Sequence, residues 1–155
     1  FFQAPPDTVV QELEGGRETA FSTSSQPTLI WKTTIGPADW RVYWVYEGRI
    51  SGLTAEAECR DGEFRVRAAA FAGEGLPLRA GLPLTVEWFD PAGREVEAYR
   101  RHTALDPSTG QMEIRFPRAA RMDPGGPWRV RVTERLTGRQ AVADLQVAAD
   151  RREGE

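Results

Sequence analysis

The sequence predicts an all-β protein, an antiparallel two-sheet sandwich with an N-terminal β extension. Three observations carry that prediction. From residue 53 onward apolar and polar residues alternate at period two in one segment after another. Turn-forming clusters separate these segments about every 8–12 residues. No stretch longer than a turn or two keeps a helical period.

Residues 1–18 are polar and broken by Pro5, Pro6, Gly15 and Gly16, with a short apolar patch at Val9, Val10 and Leu13. They read as an extended arm with at most one short strand. Residues 19–27 read as a loop or an edge. Two strand candidates follow, 28–34 and 40–46. The second is aromatic and β-branched throughout. Trp40, Val42, Trp44 and Tyr46 share one of its faces, and Tyr43 with Val45 make the other partly apolar. Such a strand calls for cover on both sides.

Leu53, Ala55, Ala57 and Cys59 then alternate with Thr54, Glu56 and Glu58, and Arg60-Asp61-Gly62 turns the chain into Phe64, Val66, Ala68 and Ala70. A Gly- and Pro-rich loop leads to Leu84, Val86 and Trp88. Asp90-Pro91-Ala92-Gly93 has the residues of a type I turn. A strand at 95–101 is expected next, then the turn 106–110, then Met112, Ile114 and Phe116. Asp123-Pro124-Gly125-Gly126 delivers the chain to the clearest hairpin of all. Trp128, Val130 and Val132 face one side and Arg129, Arg131, Thr133 and Arg135 the other. After Leu136-Thr137-Gly138, Ala141, Ala143, Leu145 and Val147 alternate with Val142, Asp144 and Gln146. Residues 149–155 read as a solvated tail.

Seven strands in about 95 residues match the spacing of an immunoglobulin-like or fibronectin-III-like sandwich. The predicted core is Phe64, Val66, Ala68, Leu84, Val86, Trp88, Ile114, Phe116, Trp128, Val130, Val132, Leu145 and Val147. Residues 1–52 form the N-terminal arm and accessory strands, and 53–148 the sandwich. The accessory part is too small to bury a core of its own and should pack on the sandwich.

Residues 83–96 and 126–133 carry a resemblance. Pro83-Leu84-Thr85-Val86-Glu87-Trp88-Phe89-Asp90-Pro91-Ala92-Gly93-Arg94-Glu95-Val96 and Gly126-Pro127-Trp128-Arg129-Val130-Arg131-Val132-Thr133 resemble Ig-like modules of large secreted bacterial proteins. These include the macroglobulin-like and glycosidase-appended kinds. The resemblance spans residues 76–147 and concerns architecture; such modules have no family catalytic residues to carry over. It implies an extracellular or cell-envelope location. Residues 1–50 resemble no family we can name.

Composition narrows the function further. The chain has 155 residues, 40% of them hydrophobic and 28% charged, as in a globular protein. A net charge of −3, with bases interleaved among acids, gives no footprint for nucleic acid. No apolar run approaches the roughly 20 residues that span a bilayer, so no membrane insertion is expected. Lys32 is the one lysine among 20 basic residues, which we read as codon bias. The chain begins at Phe1 rather than Met, and a leader or larger N-terminal part is expected to have been removed. Cys59 is the one cysteine, excluding an intrachain disulfide and a multi-cysteine metal site.

Candidate chemistry is sparse. His102 is the one histidine and should end a strand facing solvent. Ser22, Ser24, Ser25, Ser51 and Ser108 lie in loop-like stretches, none in a nucleophile elbow. Cys59 reads as a small buried hydrophobe. The acid pairs Glu56/Glu58, Glu95/Glu97 and Asp61/Glu63 supply the residue type that a glycosidase sets across its cleft as two carboxylates. They lie at i, i+2 on polar strand faces, with arginines 65, 67, 129, 131 and 135 placed for cross-strand ladders. No calcium loop, phosphate loop or dinucleotide fingerprint occurs, so neither metal nor cofactor is expected.

The aromatics Trp31, Trp40, Tyr43, Trp44 and Tyr46 remain. They form a second small core, a face for a partner protein, or a stacking platform for sugar. Three function classes follow. The first is a non-catalytic structural or protein-interaction module, with a protein partner or parent polypeptide. The second is a carbohydrate-binding module, and an enzyme comes third. The arm residues Val9, Val10 and Leu13 add a structural alternative: the arm joins a sheet edge in its own chain or in a neighbour. Addition to a neighbour would make a homo-oligomer or filament by strand exchange.

Overall fold

The computed structural model describes residues 8–12, 22–23, 29–30, 35–37, 40–119 and 123–149. The alternation at 53–70 becomes a long hairpin, β5 (Gly52–Arg60) and β6 (Glu63–Phe71). At its turn Asp61 and Gly62 both take positive φ, 52° and 74°, the conformation a two-residue hairpin loop requires. β6 also pairs with β9 (Gln111–Pro117), making a three-stranded sheet in the order β5-β6-β9. β7 (Pro83–Phe89), β8 (Arg101–Ala104), β10 (Gly126–Glu134) and β11 (Gln140–Val147) make the second sheet, in the order β11-β10-β7-β8. Every pairing is antiparallel.

Phe64 marks where the sheets meet. Its ring lies 4.8 Å from Trp88 and 5.2 Å from Trp128, both on the opposite sheet, and 5.8 Å from Phe116 on its own. Tilted and edge-on rings of this kind add to the burial of large apolar area. Of the expected core, all residues but Ile114 are buried, and Ile114 packs half-buried against it. The fold is thus all-β, an antiparallel sandwich; no α-helix occurs among the described residues. Among the described residues no helix is long and apolar enough to cross a membrane.

Two expectations need correction. The strand expected at 95–101 is not continuous. Asp90 accepts bonds from the backbone N–H of Ala92 and Arg94 and from the Arg94 guanidinium, folding the chain back at Phe89↔Glu95. A 3₁₀ turn at Glu97–Tyr99 then drops Tyr99 into the core, and β8 starts at Arg101. His102 accordingly sits inside β8 rather than ending a strand, although it is exposed. The Gly/Pro loop after β6 contributes to the core as well. Leu78, Ala80 and Leu82 are buried, because Leu78 N–H bonds Ala70 O and Leu105 N–H bonds Leu82 O, stitching the loop across the end of the sandwich. Gly110 makes that stitch fit: its φ is +69°, and a Cβ there would lie 2.3 Å from Leu78 O.

The N-terminal part contributes β1 (Thr8–Glu12), β2 (Ser22–Thr23), β3 (Leu29–Ile30) and β4 (Tyr43–Glu47). β2 pairs with β3, so within the candidate 28–34 the described strand is Leu29–Ile30. β1 pairs with β4, which begins three residues later than the start of the candidate 40–46. The tail from 150 to 155 lies outside the described residues.

Candidate functional site

β4 and the strand beside it are where the aromatic residues and the arm meet. β1 runs antiparallel to β4 with Val9 opposite Tyr46, Val10 opposite Val45 and Gln11 opposite Trp44. Alternation along β4 turns Trp44 and Tyr46 toward the sandwich, where Tyr46 joins the core with Val9 and Ile50 and Trp44 packs against it. Tyr43 and Val45 occupy the opposite face, half-buried and exposed. Trp40 precedes the strand and is 61% exposed. Trp31 and Leu13 lie outside the described residues. Of the four described aromatics, then, Trp40 is exposed, Tyr43 and Trp44 are half-buried and Tyr46 is buried. Val9 and Val10, the described part of the apolar arm patch, are buried within their own chain.

A chain of buried hydrogen bonds fastens this small sheet to the sandwich. Tyr46 Oη donates to Gln11 Oε1 at 2.8 Å, and Gln11 Nε2 donates to Leu136 O at 2.8 Å. The Leu136 N–H donates in turn to Glu134 Oε1 at 2.5 Å. Glu134 is fully buried, and its other oxygen accepts from Thr137 N–H and Thr137 Oγ1 at 2.8 and 2.6 Å. A carboxylate out of contact with water is tolerated here because three donors of one turn converge on it. The turn's carbonyl at Leu136 is left free to receive Gln11. At the rim, Arg41 pairs with Glu12 at 2.5 Å. The sequence held a signal for this relay: Glu134 is in phase with Trp128, Val130 and Val132, an acid on the core face.

Beside the relay lies a cleft of about 490 Å³ between the extension and the β10–β11 turn, bordered by Tyr46, Arg49, Ile50, Thr137 and Arg139. A second groove, about 530 Å³, crosses the outer face of β7, β10 and β11. Phe89, Pro91 and Val142 give it an apolar strip, but the Arg131 guanidinium already covers Phe89, 5.0 Å from the ring centroid. Arg131 also holds Glu87 at 2.8 Å, and Arg129 holds Asp144 at 2.7 Å. The hydrogen bonds from these arginines set the Glu87 and Asp144 carboxyls below their ordinary range.

The acids on the other sheet are engaged the same way. Arg65 reaches Glu58 at 3.0 Å and Glu63 at 3.4 Å, while Glu113 holds Arg67 at 2.7 Å and pairs with Arg115. Hydrogen bonds from Arg67 and Arg115 lower the Glu113 carboxyl. Glu95 pairs with Arg100, and Asp61 with Arg60. Ser24 and Ser25 lie outside the described residues, and two of the other candidate nucleophiles are similarly committed. Ser51 Oγ donates to the carbonyls of Phe71 and Ala72, and Ser108 Oγ to Asp106. Burial pushes the Cys59 thiol up, away from the thiolate; Arg118 opposes and Asp123 reinforces that shift. His102 Nδ1 lies 3.2 Å from Thr85 Oγ1, its direct cross-strand neighbour, and Thr85 is buried. Among the described residues no three His, Cys, Asp or Glu side chains gather as a metal site.

The chain matches no protein-family model and no curated protein.

Proposed function

We propose that this chain is an Ig-like or fibronectin-III-like module serving a non-catalytic, structural or protein-interaction role in a larger extracellular or cell-envelope assembly. The observation that carries the reading is the distribution of the seven sandwich strands. The first, second and fifth share one sheet, and the third, sixth and seventh share the other. Ig-type sandwiches divide their strands in that way. The fourth strand, β8, joins the third rather than the first sheet, which favours the fibronectin-III-like variant over the constant-domain one. The arginine ladders support a binding or scaffolding role over hydrolysis, since Glu58, Asp61, Glu63 and Glu95, at least one acid of each pair that could have flanked a substrate, hold guanidinium groups instead.

Two measurements test it. A photo-crosslinking residue at Val142, on the outer face of β11, should capture protein in the native assembly, whereas one at Thr54 on the other sheet should not. Titration with soluble polysaccharides, read by tryptophan fluorescence, should leave the emission unchanged. Saturable quenching that disappears in Trp40→Ala would overturn the reading in favour of sugar binding.

A further inference from the structure

We propose that β9 is a dimerisation edge, pairing antiparallel with the β9 of a second copy of this chain about a two-fold axis at Ile114. The proposal goes beyond the module reading, since it names a second copy as partner and one edge of the sandwich as the site.

The edge is open and short. β9 pairs with β6 on one side, and among the described residues no strand pairs with its other side. β5 and β11, the other long edges, lie beside each other instead. Ala70 N–H donates to Gly110 O at 3.3 Å and Arg118 N–H to Gly62 O at 2.9 Å, both continuing the β6–β9 register. That phase turns the backbone groups of Met112, Ile114 and Phe116 toward β6, and those of Gln111, Glu113, Arg115 and Pro117 away from it. Gln111 is already engaged: its carbonyl accepts from Asp106 N–H, and its N–H donates to Thr109 Oγ1. Pro117 has no N–H to give. Glu113 and Arg115 are left to offer both N–H and C=O to an incoming strand.

The order of its charges sets what can meet that edge. Charged residues on an edge strand ordinarily deter pairing. In the antiparallel register that places Ile114 opposite its own copy, however, Glu113 stands opposite Arg115 of the second copy, and Arg115 opposite its Glu113. Both are hydrogen-bonded pairs, so the open N–H groups of the two strands all find carbonyls. Shifting the register by two residues sets Glu113 against Glu113 or Arg115 against Arg115, like charges directly opposed. A slip of one residue puts the open backbone groups out of phase. Arg115 pairs with Glu113 of its own strand, so association exchanges that contact for one across the two-fold. The core face agrees with the charges. Ile114 is the expected core residue left half-buried, and it lies on this edge. Ile114 of the second copy covers its open side, with Met112 and Phe116 meeting as flanking cross-strand pairs. A foreign strand would need the same acid-apolar-base order, which a second copy carries by definition.

Sedimentation equilibrium of the full chain at about 0.01–1 mM should show a monomer–dimer equilibrium. Arg115→Glu and Glu113→Arg each oppose like charges across the two-fold and should weaken dimerisation about tenfold or more. Mixed in equal amounts, the two variants oppose unlike charges again and should form a one-to-one dimer. Should either variant unfold alone, as its tryptophan emission would reveal, the double variant Glu113→Arg/Arg115→Glu is self-complementary once more and should dimerise like the parent. The register has its own test. Opposed Cβ atoms at the two-fold lie about 4.5–5.5 Å apart and can be bridged by a disulfide. In a Cys59→Ser chain, Ile114→Cys should therefore oxidise to a disulfide dimer about tenfold faster than Val142→Cys, an exposed position on β11. A parent that stays monomeric at about 1 mM, a dimer indifferent to both charge reversals, or cross-linking no faster than the Val142→Cys control would overturn the proposal. Capture of a foreign protein at Val142, on the other sheet, would be unaffected by any of these results, so the module reading stands or falls separately.

Discussion

Glu134→Ala removes the acceptor of three hydrogen bonds in the β10–β11 turn without touching the hydrophobic core around Trp88. The Leu136 N–H is buried beneath the extension and has no water to replace the carboxylate. Thr137 N–H and Oγ1 are only partly buried and can be rehydrated. An orphaned buried N–H costs roughly 1–3 kcal/mol, and loss of the charge-assisted bonds to Thr137 adds about 1 kcal/mol net. Relief of carboxylate desolvation offsets part of this. The expected loss is about 2 kcal/mol, a substantial fraction of the roughly 5–15 kcal/mol that stabilises an ordinary domain. Glu134→Gln keeps one carbonyl acceptor at the same volume and should cost about 1 kcal/mol. Urea unfolding with unchanged m-values measures both. Hydrogen exchange should report faster turnover at the Leu136 amide in the alanine variant. A loss below about 1 kcal/mol for Glu134→Ala, or an equal loss for the two variants, would refute the view that the turn is organised around this carboxylate.

The two core tryptophans offer a contrast: Trp128 Nε1 donates to Pro124 O at 2.9 Å, whereas Trp88 Nε1 is buried without a partner among the described residues. With ring volume lost equally, Trp128→Phe should exceed Trp88→Phe by about 1 kcal/mol in unfolding free energy, and equal costs would count against it. Gly110→Ala meets both a positive φ and the Leu78 carbonyl, so it should cost more than about 3 kcal/mol or prevent folding. Gly93→Ala, at φ +76° with open space around it, should cost about 1 kcal/mol. Comparing the melting temperatures of the two variants checks this. Acid should destabilise the fold in a defined window. The carboxyls of Glu87, Asp90, Asp106, Glu113 and Asp144 are lowered by hydrogen bonds in the folded chain. The unfolded chain therefore binds protons first as pH falls, and the stability is complete above the ordinary carboxylate range near pH 4. It is lost as pH drops through the folded values, so urea midpoints should be flat from about pH 7 to 5 and fall between about 4 and 2.

How much of this was legible depends on which force wrote each segment. Where burial alone decides, period two suffices: the inward faces of β6, β7 and β10 contain the residues the alternation selects, and the Asp-Gly and Leu-Thr-Gly turns sit where their φ preferences put them. Where a hydrogen-bonded turn competes with extension, the pattern misleads. Glu95–Arg101 alternates well enough to be a strand, yet Asp90 captures Arg94, and the core takes Tyr99 from a 3₁₀ turn. The Tyr99 hydroxyl then bonds Asp123, and the Asp123 carboxylate receives the Ala119 N–H, contacts no local period encodes. The aromatic strand is the instructive middle case. Its alternation is plain in the sequence, but alternation cannot say what lies beyond each face, and the side bearing Trp44 and Tyr46 meets the sandwich rather than solvent. What decides that side is Gln11, a polar residue beside two valines, answering a carbonyl 125 positions away in a turn held open by Glu134. Buried polar residues in phase with a core face, Gln11 and Glu134 here, are thus the positions at which a sequence of this kind records how its parts are joined.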